Sequence, residues 1–173
     1  LPWLFGSLER YWPFIVMAIA YAGVIISESL CSRQLQVLAR PIEITGTFLP
    51  LLPLIGFWVV ESQVDYSALL FVGGGLYGLL SLLRSSFRFG VVAAVCGNGG
   101  LWYYLQRTEG YQFLQHPQFW LVPVALSVLI AAYLNRKDFT EDQMATTRYM
   151  ALLTIYLSST SDIIINGVAN SPW

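Results

Sequence analysis

The residues with the clearest chemical potential lie in a long apolar segment near the end of the chain. Asp162 is the one charged residue between Tyr149 and Pro172, and it follows Arg148 by 14 positions. At a helical rise of about 1.5 Å per residue, it lies about 21 Å beyond that arginine. In a membrane, a carboxylate at this depth is costly unless it faces protein or water, or is protonated. Spacings of three and four residues place further polar side chains on its side of the helix, namely Thr154, Ser158, Ser161 and Asn166.

Two interpretations of this polar face stay open. One is a seam of hydrogen bonds between helices, and the other is a position for a proton or a cation. If Asp162 is protonated, it is expected to act as a hydrogen-bond donor. The apolar segments contain no basic residue that would pair with it, which favours the seam.

Three consecutive apolar segments carry helix-weakening residues at similar depth. Pro50 and Pro53 predict a helix kink, because each removes a backbone hydrogen bond. The next two segments contain glycines that let helix backbones approach closely, namely Gly74, Gly78, Gly97, Gly99 and Gly100. An alternative is a discontinuous-helix site of the transporter kind, to which Asn98 would contribute. Packing is favoured, because glycine and proline are ordinary in membrane helices.

Motifs for other chemistry are absent from the sequence. There is no Gly-x-Ser-x-Gly or His-Glu-x-x-His pattern and no phosphate-binding glycine loop. His116 is the single histidine, so a histidine-based metal or haem site is not expected. We therefore predict no catalytic residue, metal or cofactor. A net charge of −1 also gives no attraction to nucleic acid.

The elements that position these residues are long apolar segments, in a chain that is 56% hydrophobic and 11% charged. A stretch of about 20 apolar residues crosses the hydrocarbon core of a bilayer. We predict an all-α polytopic transmembrane helix bundle of about six spans, forming a single unit over residues 1–173 that is a segment of a longer chain. The spans are residues 11–27, 44–60, 66–83, 89–106, 118–135 and 148–168.

The distribution of basic residues predicts how the bundle is oriented. The loops after the first, third and fifth spans hold seven Lys and Arg residues, namely Arg33, Arg40, Arg84, Arg88, Arg136, Lys137 and Arg148. The opposite side holds Arg10 and Arg107. Because cytoplasmic loops carry the excess of basic residues, both ends of the chain are expected on the outer side.

Two connections have local patterns of their own. Thr140 and Gln143 have the spacing of a capping box, which predicts a helix start before the sixth span. Residues 29–38 mix apolar and polar positions, which suggests a short interfacial helix.

Four stretches resemble the later part of long, uncharacterised multi-pass bacterial membrane proteins. They are residues 44–53 (ITGTFLPLLP), 98–103 (NGGLWY), 116–120 (HPQFW) and 148–162. The resemblance implies the bacterial inner membrane and further apolar spans on both sides. It brings no assigned activity.

These observations favour a non-catalytic integral membrane component, which is a structural or assembly subunit of a larger membrane complex. Its expected partners are membrane lipids and other membrane subunits or further spans of the same chain. The alternative is a small-solute or proton-coupled ion transporter that uses Asp162 and the broken second helix.

Overall fold

The computed structural model describes the backbone of residues 2–57, 64–113, 116–137 and 139–169. It describes the side chains of residues 11–57, 64–113, 116–137, 139–161 and 167. All regular secondary structure in these parts is helical, which confirms the all-α prediction. In chain order the helices are α1 (Pro2–Ser32), α2 (Gln36–Phe48), α3 (Leu51–Gly56), α4 (Tyr66–Arg84), α5 (Phe87–Arg107), α6 (Pro117–Leu134) and α7 (Glu141–Ala169).

Four helical segments in the described residues are long and apolar enough to cross a membrane. They are Tyr11–Ser32, Gln36–Gly56, Tyr66–Arg84 and Pro117–Leu134. The second of these combines α2 and α3. The predicted spans 89–106 and 148–168 lie within α5 and α7, which are not among the four. The number of about six spans stays a prediction.

The chain divides into two compact units, Leu1–Gly100 and Leu101–Trp173. The first contains a core formed by α1, α3, α4 and α5, whose buried members are Met17, Ala20, Val24, Leu54, Leu69, Leu76, Tyr77, Leu80 and Cys96. In the second unit, α6 packs against α7.

Glycine contacts show that α4 and α5 run antiparallel. A Cβ atom on Gly100 would lie 3.1 Å from the carbonyl oxygen of Ser67, and one on Gly90 would lie 3.0 Å from the hydroxyl of Ser81. Residue numbers therefore increase in opposite directions along α4 and α5. Close backbone approach at small residues is how membrane helices pack.

Two tyrosines show that α4 also runs antiparallel to α2 and α3. The hydroxyl of Tyr66 donates to the carbonyl of Leu54, and that of Tyr77 donates to the carbonyl of Thr47. It follows that α2 and α3 run parallel to α5. The chain thus reverses direction between α3 and α4 and again between α4 and α5.

The second apolar segment is interrupted where the prolines lie. The last residue of α2 is Phe48 and α3 begins at Leu51, with Pro50 between them. Pro50 has no N–H to donate to the carbonyl of Gly46, so the helix cannot continue regularly there. Pro53 lies inside α3 and is buried.

The connection between α1 and α2 is tighter than the sequence suggested. Helix α1 continues to Ser32 and α2 begins at Gln36, with Gln34 at a φ of 62° in the turn. The prediction of a separate interfacial helix over residues 29–38 is therefore wrong. The two flanking helices absorb most of that segment.

The predicted capping box at the start of α7 is confirmed. The backbone N–H of Gln143 donates to the hydroxyl of Thr140 over 3.3 Å. In return, the N–H of Thr140 donates to the side-chain oxygen of Gln143 over 3.1 Å. These bonds satisfy two donors that would otherwise lack partners at the helix start.

Candidate functional site

The polar face of α7 bonds to its own helix in the described residues. The hydroxyls of Thr154, Ser158 and Ser161 donate to backbone carbonyls three or four residues earlier, over 2.8–3.0 Å. Ser158 is buried. Asp162 and Asn166 belong to α7, but their side chains lie outside the described residues. The structure therefore places all five predicted residues on one helix, and the three hydroxyls that it describes are turned back to the helix backbone.

Asn98 shows the same behaviour on α5. Its side-chain amide donates to the carbonyl of Ala94, one helical turn earlier, over 2.8 Å. A polar side chain satisfied in this way does not require a water-filled cavity beside it. The contact supports a packed helix at this depth.

The predicted packing glycines divide into two groups. A Cβ on Gly74 would lie 3.2 Å from the backbone nitrogen of Gly97, and one on Gly100 would lie 3.1 Å from the Ser67 carbonyl. Both approaches require glycine, because the neighbouring atoms belong to a backbone. Added Cβ atoms at the other three would meet ordinary contacts or open space: Gly78, Gly97 and Gly99.

A charged cluster that the sequence did not reveal joins three helices of the first unit. The guanidinium of Arg84, at the end of α4, lies 3.1 Å from the carboxylate of Glu43 on α2 and 3.7 Å from that of Glu28 on α1. Glu43 is the less exposed acid, at 30% against 51%. One guanidinium therefore faces two carboxylates, so these three side chains together carry one negative charge in excess.

A groove of about 530 Å³ lies beside this cluster, between α2–α3 and α5, with α4 beneath. Its polar lining is Glu43, Thr47, Tyr77, Ser86 and Arg88. Its apolar lining is Ile44, Phe48, Leu51, Phe89 and Val92. The volume falls in the range of small-molecule sites.

The charged residues of the lining lie at one end of the groove, and the other end is apolar. On α2–α3, the order from Glu43 through Phe48 to Leu51 runs from charged to apolar, and so does the order from Arg88 to Val92 on α5. Since these helices run parallel, their charged residues lie at the same end. The groove is thus amphipathic along its length.

Glu43 and Arg88 form no ion pair with each other among the described residues. Glu43 is held by Arg84, whereas the described residues offer the exposed Arg88 no acidic partner. The charged end of the groove therefore presents one negative and one positive group that form no ion pair with each other. That is the arrangement that a ligand with both charges would fit.

The described residues contain no group of three or more His, Cys, Asp and Glu side chains that could hold a metal ion. Comparison with protein-family models, with curated proteins and with solved structures finds no match for this chain. What the protein does must therefore be argued from the geometry above.

The sequence predicts the side of the membrane on which Arg84 lies but does not indicate that Glu28 and Glu43 meet it. The missing information was the rotation of each helix, which decides the direction of each side chain. One signal was available, namely that all three lie at the ends of apolar segments on the same predicted side.

Proposed function

We propose that this chain is a non-catalytic integral membrane component and a structural or assembly subunit of a larger membrane complex. It crosses the bacterial inner membrane about six times, with both ends on the outer side. The observation that carries the proposal is the behaviour of the polar residues within the helices. The described members of the predicted polar site bond to their own helix backbones, so these polar groups are satisfied without a ligand or a water-filled cavity.

The exposed apolar surface supports the same function. Between 17% and 39% of the residues in the four candidate spans are buried within the chain. On α3, Leu52 and Ile55 are 62% and 71% exposed. Apolar side chains of this kind require lipid, another subunit or further spans to cover them.

A second candidate function is a small-solute or proton-coupled ion transporter. The break between α2 and α3 favours it, because the groove adjoins the break. Transporter sites use such interrupted helices. In this case Asp162 carries the proton.

One experiment separates the two functions. The native protein is reconstituted in vesicles under a pH gradient, with Asp162→Asn compared with Thr146→Ala as the control, at an exposed position of α7 outside the predicted polar face. A subunit of a complex should co-purify with the same membrane proteins in both variants, and neither substitution should change solute or proton flux. Loss of a proton-dependent flux in Asp162→Asn alone would replace the structural proposal with the transporter.

The number of spans and their orientation have a separate test. In a background without Cys31 and Cys96, Lys137→Cys should react with an impermeant thiol reagent from the cytoplasmic side, and Glu109→Cys from the outer side. The reverse pattern would contradict the predicted orientation. Labelling of both residues from one side would contradict the membrane crossing between them, and with it the six-span topology.

A further inference from the structure

We propose that the groove between α2–α3 and α5 binds one phospholipid with a zwitterionic phosphoethanolamine headgroup. Its phosphate lies at Arg88 and Ser86, its ammonium group faces Glu43, and an acyl chain follows the apolar lining. This lipid site is independent of whether the chain is a structural subunit or a transporter.

The phosphate position follows from Arg88. The described residues provide no acidic partner for its guanidinium, and the hydroxyl of Ser86 lines the same groove. Guanidinium groups bind phosphate oxygens through charge-assisted hydrogen bonds, often two at once. A phosphodiester supplies the acceptors that Arg88 lacks.

The ammonium position follows from Glu43, the acidic residue of the groove lining. Arg84 lies beside both Glu28 and Glu43, so its single charge does not neutralise the pair. Because Glu43 also lines the groove, its carboxylate is available to a hydrogen-bonding cation there. The charged residues of the groove lining itself are one acid and one base, Glu43 and Arg88, which matches a zwitterion. Arg33 and Arg40, on the same predicted side of the membrane, are not among the residues that line it.

The acyl-chain position follows from the direction of the helices. From Glu43 to Leu51 is eight residues, or about 12 Å along a helix, and the lining changes from charged to apolar over that distance. Ile44 and Phe48 are more than half exposed, so this wall is free to contact a chain. Free phosphate would bind at the charged end alone and would not contact the apolar residues of the groove.

The test uses the full chain purified in detergent, with bound lipid counted by native mass spectrometry. Lipids with identical acyl chains and phosphoethanolamine, phosphocholine or phosphoglycerol headgroups are added in turn. The phosphoethanolamine lipid should bind most tightly. Arg88→Ala should weaken it about tenfold, the effect of one lost charge-assisted hydrogen bond. Arg88→Lys should restore part of the binding, and Arg33→Ala, in the turn between α1 and α2, should leave it unchanged.

Further variants test the other parts of the groove. Glu43→Gln should remove the preference for phosphoethanolamine over phosphocholine. Val92→Trp fills the apolar end of the groove and keeps every charge, so it should weaken the binding of all three lipids. It is the variant to use if Arg88→Ala does not fold.

Four results would overturn the proposal. The first is that Arg88→Ala and Arg33→Ala bind the phosphoethanolamine lipid equally well. The second and third are that the native protein binds the phosphocholine lipid as tightly as the phosphoethanolamine lipid, or the phosphoglycerol lipid more tightly. The fourth is that inorganic phosphate displaces the bound lipid. The third would indicate a site for anionic lipid, and the fourth a site for free phosphate.

Discussion

Gly23 of α1 and Gly46 of α2 face each other where the two helices cross. A Cβ atom on Gly23 would lie 3.6 Å from the Cα of Gly46. One on Gly46 would lie 3.3 Å from both the carbonyl oxygen of Ala20 and the backbone nitrogen of Val24. The crossing therefore depends on backbone contact, and Gly46 is the tighter of the two positions.

We expect Gly46→Val to destabilise the first unit by about 1–3 kcal/mol, the usual effect of overpacking a tight contact. The neighbouring atoms belong to the backbone of α1, so relief requires the whole helix to move. The measurement is the thermal unfolding midpoint in detergent. Gly97→Val is the control, because a Cβ at Gly97 meets nothing within 4 Å. Equal midpoints for the two variants would show that the crossing tolerates a side chain.

The charged cluster predicts unequal effects of two similar substitutions. Glu43→Gln should lower stability more than Glu28→Gln, because Glu43 lies closer to Arg84 and is less exposed. Both groups are partly solvated, so each effect should stay below about 1 kcal/mol and shrink as salt is added. Unfolding midpoints at low and high salt test this. A larger loss of stability in Glu28→Gln would contradict an arrangement in which Glu43 is the closer partner of Arg84.

Some of this architecture could be predicted from the sequence, because it depends on local chemistry. The absence of charge over long segments predicts helices, Pro50 predicts an interruption beside it, and Thr140 with Gln143 predicts a helix start. Each of these features needs information from one short stretch. The helices, the break and the capping box all lie where those stretches are.

The features that the sequence did not reveal depend on how helices rotate against each other. The sequence does not distinguish Gly74 from Gly97 as packing residues. In the structure, a Cβ at Gly74 would meet the backbone of α5, whereas one at Gly97 would meet open space. Arg84 meets Glu28 and Glu43 because three helix ends converge. Periodicity gives the faces of a helix but not the neighbour that each face meets. The role of Asp162 stays a prediction.

Tyr66 and Tyr77 of α4, which donate to α3 and α2, should contribute more to stability than Tyr21, whose hydroxyl also donates to a backbone carbonyl. Thr47 lies in the last turn of α2, whose carbonyls lack helical donors, and the Tyr77 hydroxyl supplies one. Tyr77→Phe should therefore cost about 1 kcal/mol, since it leaves a partly buried acceptor without this donor.

Tyr21→Phe is the matched control for Tyr77→Phe. The hydroxyl of Tyr21 donates to the carbonyl of Val72, in the interior of α4, where the helix supplies its own donor. Its removal should cost less than that of Tyr77 when the two unfolding midpoints are compared. If Tyr21→Phe proved the more damaging, the capping of the helix break by Tyr77 would not be a significant source of stability.

The capping box of α7 allows a local test that does not depend on the unfolding of the whole chain. Thr140→Ala should destabilise the first turn by about 1 kcal/mol, because the N–H of Gln143 loses its acceptor. Hydrogen exchange at that amide should then accelerate about fivefold, the factor that corresponds to this energy. Thr146→Ala, at an exposed position within the same helix, should slow exchange slightly, since alanine has the higher helix propensity. Opposite signs for two identical substitutions six residues apart would identify the cap as the cause, whereas equal effects would show that α7 starts without it.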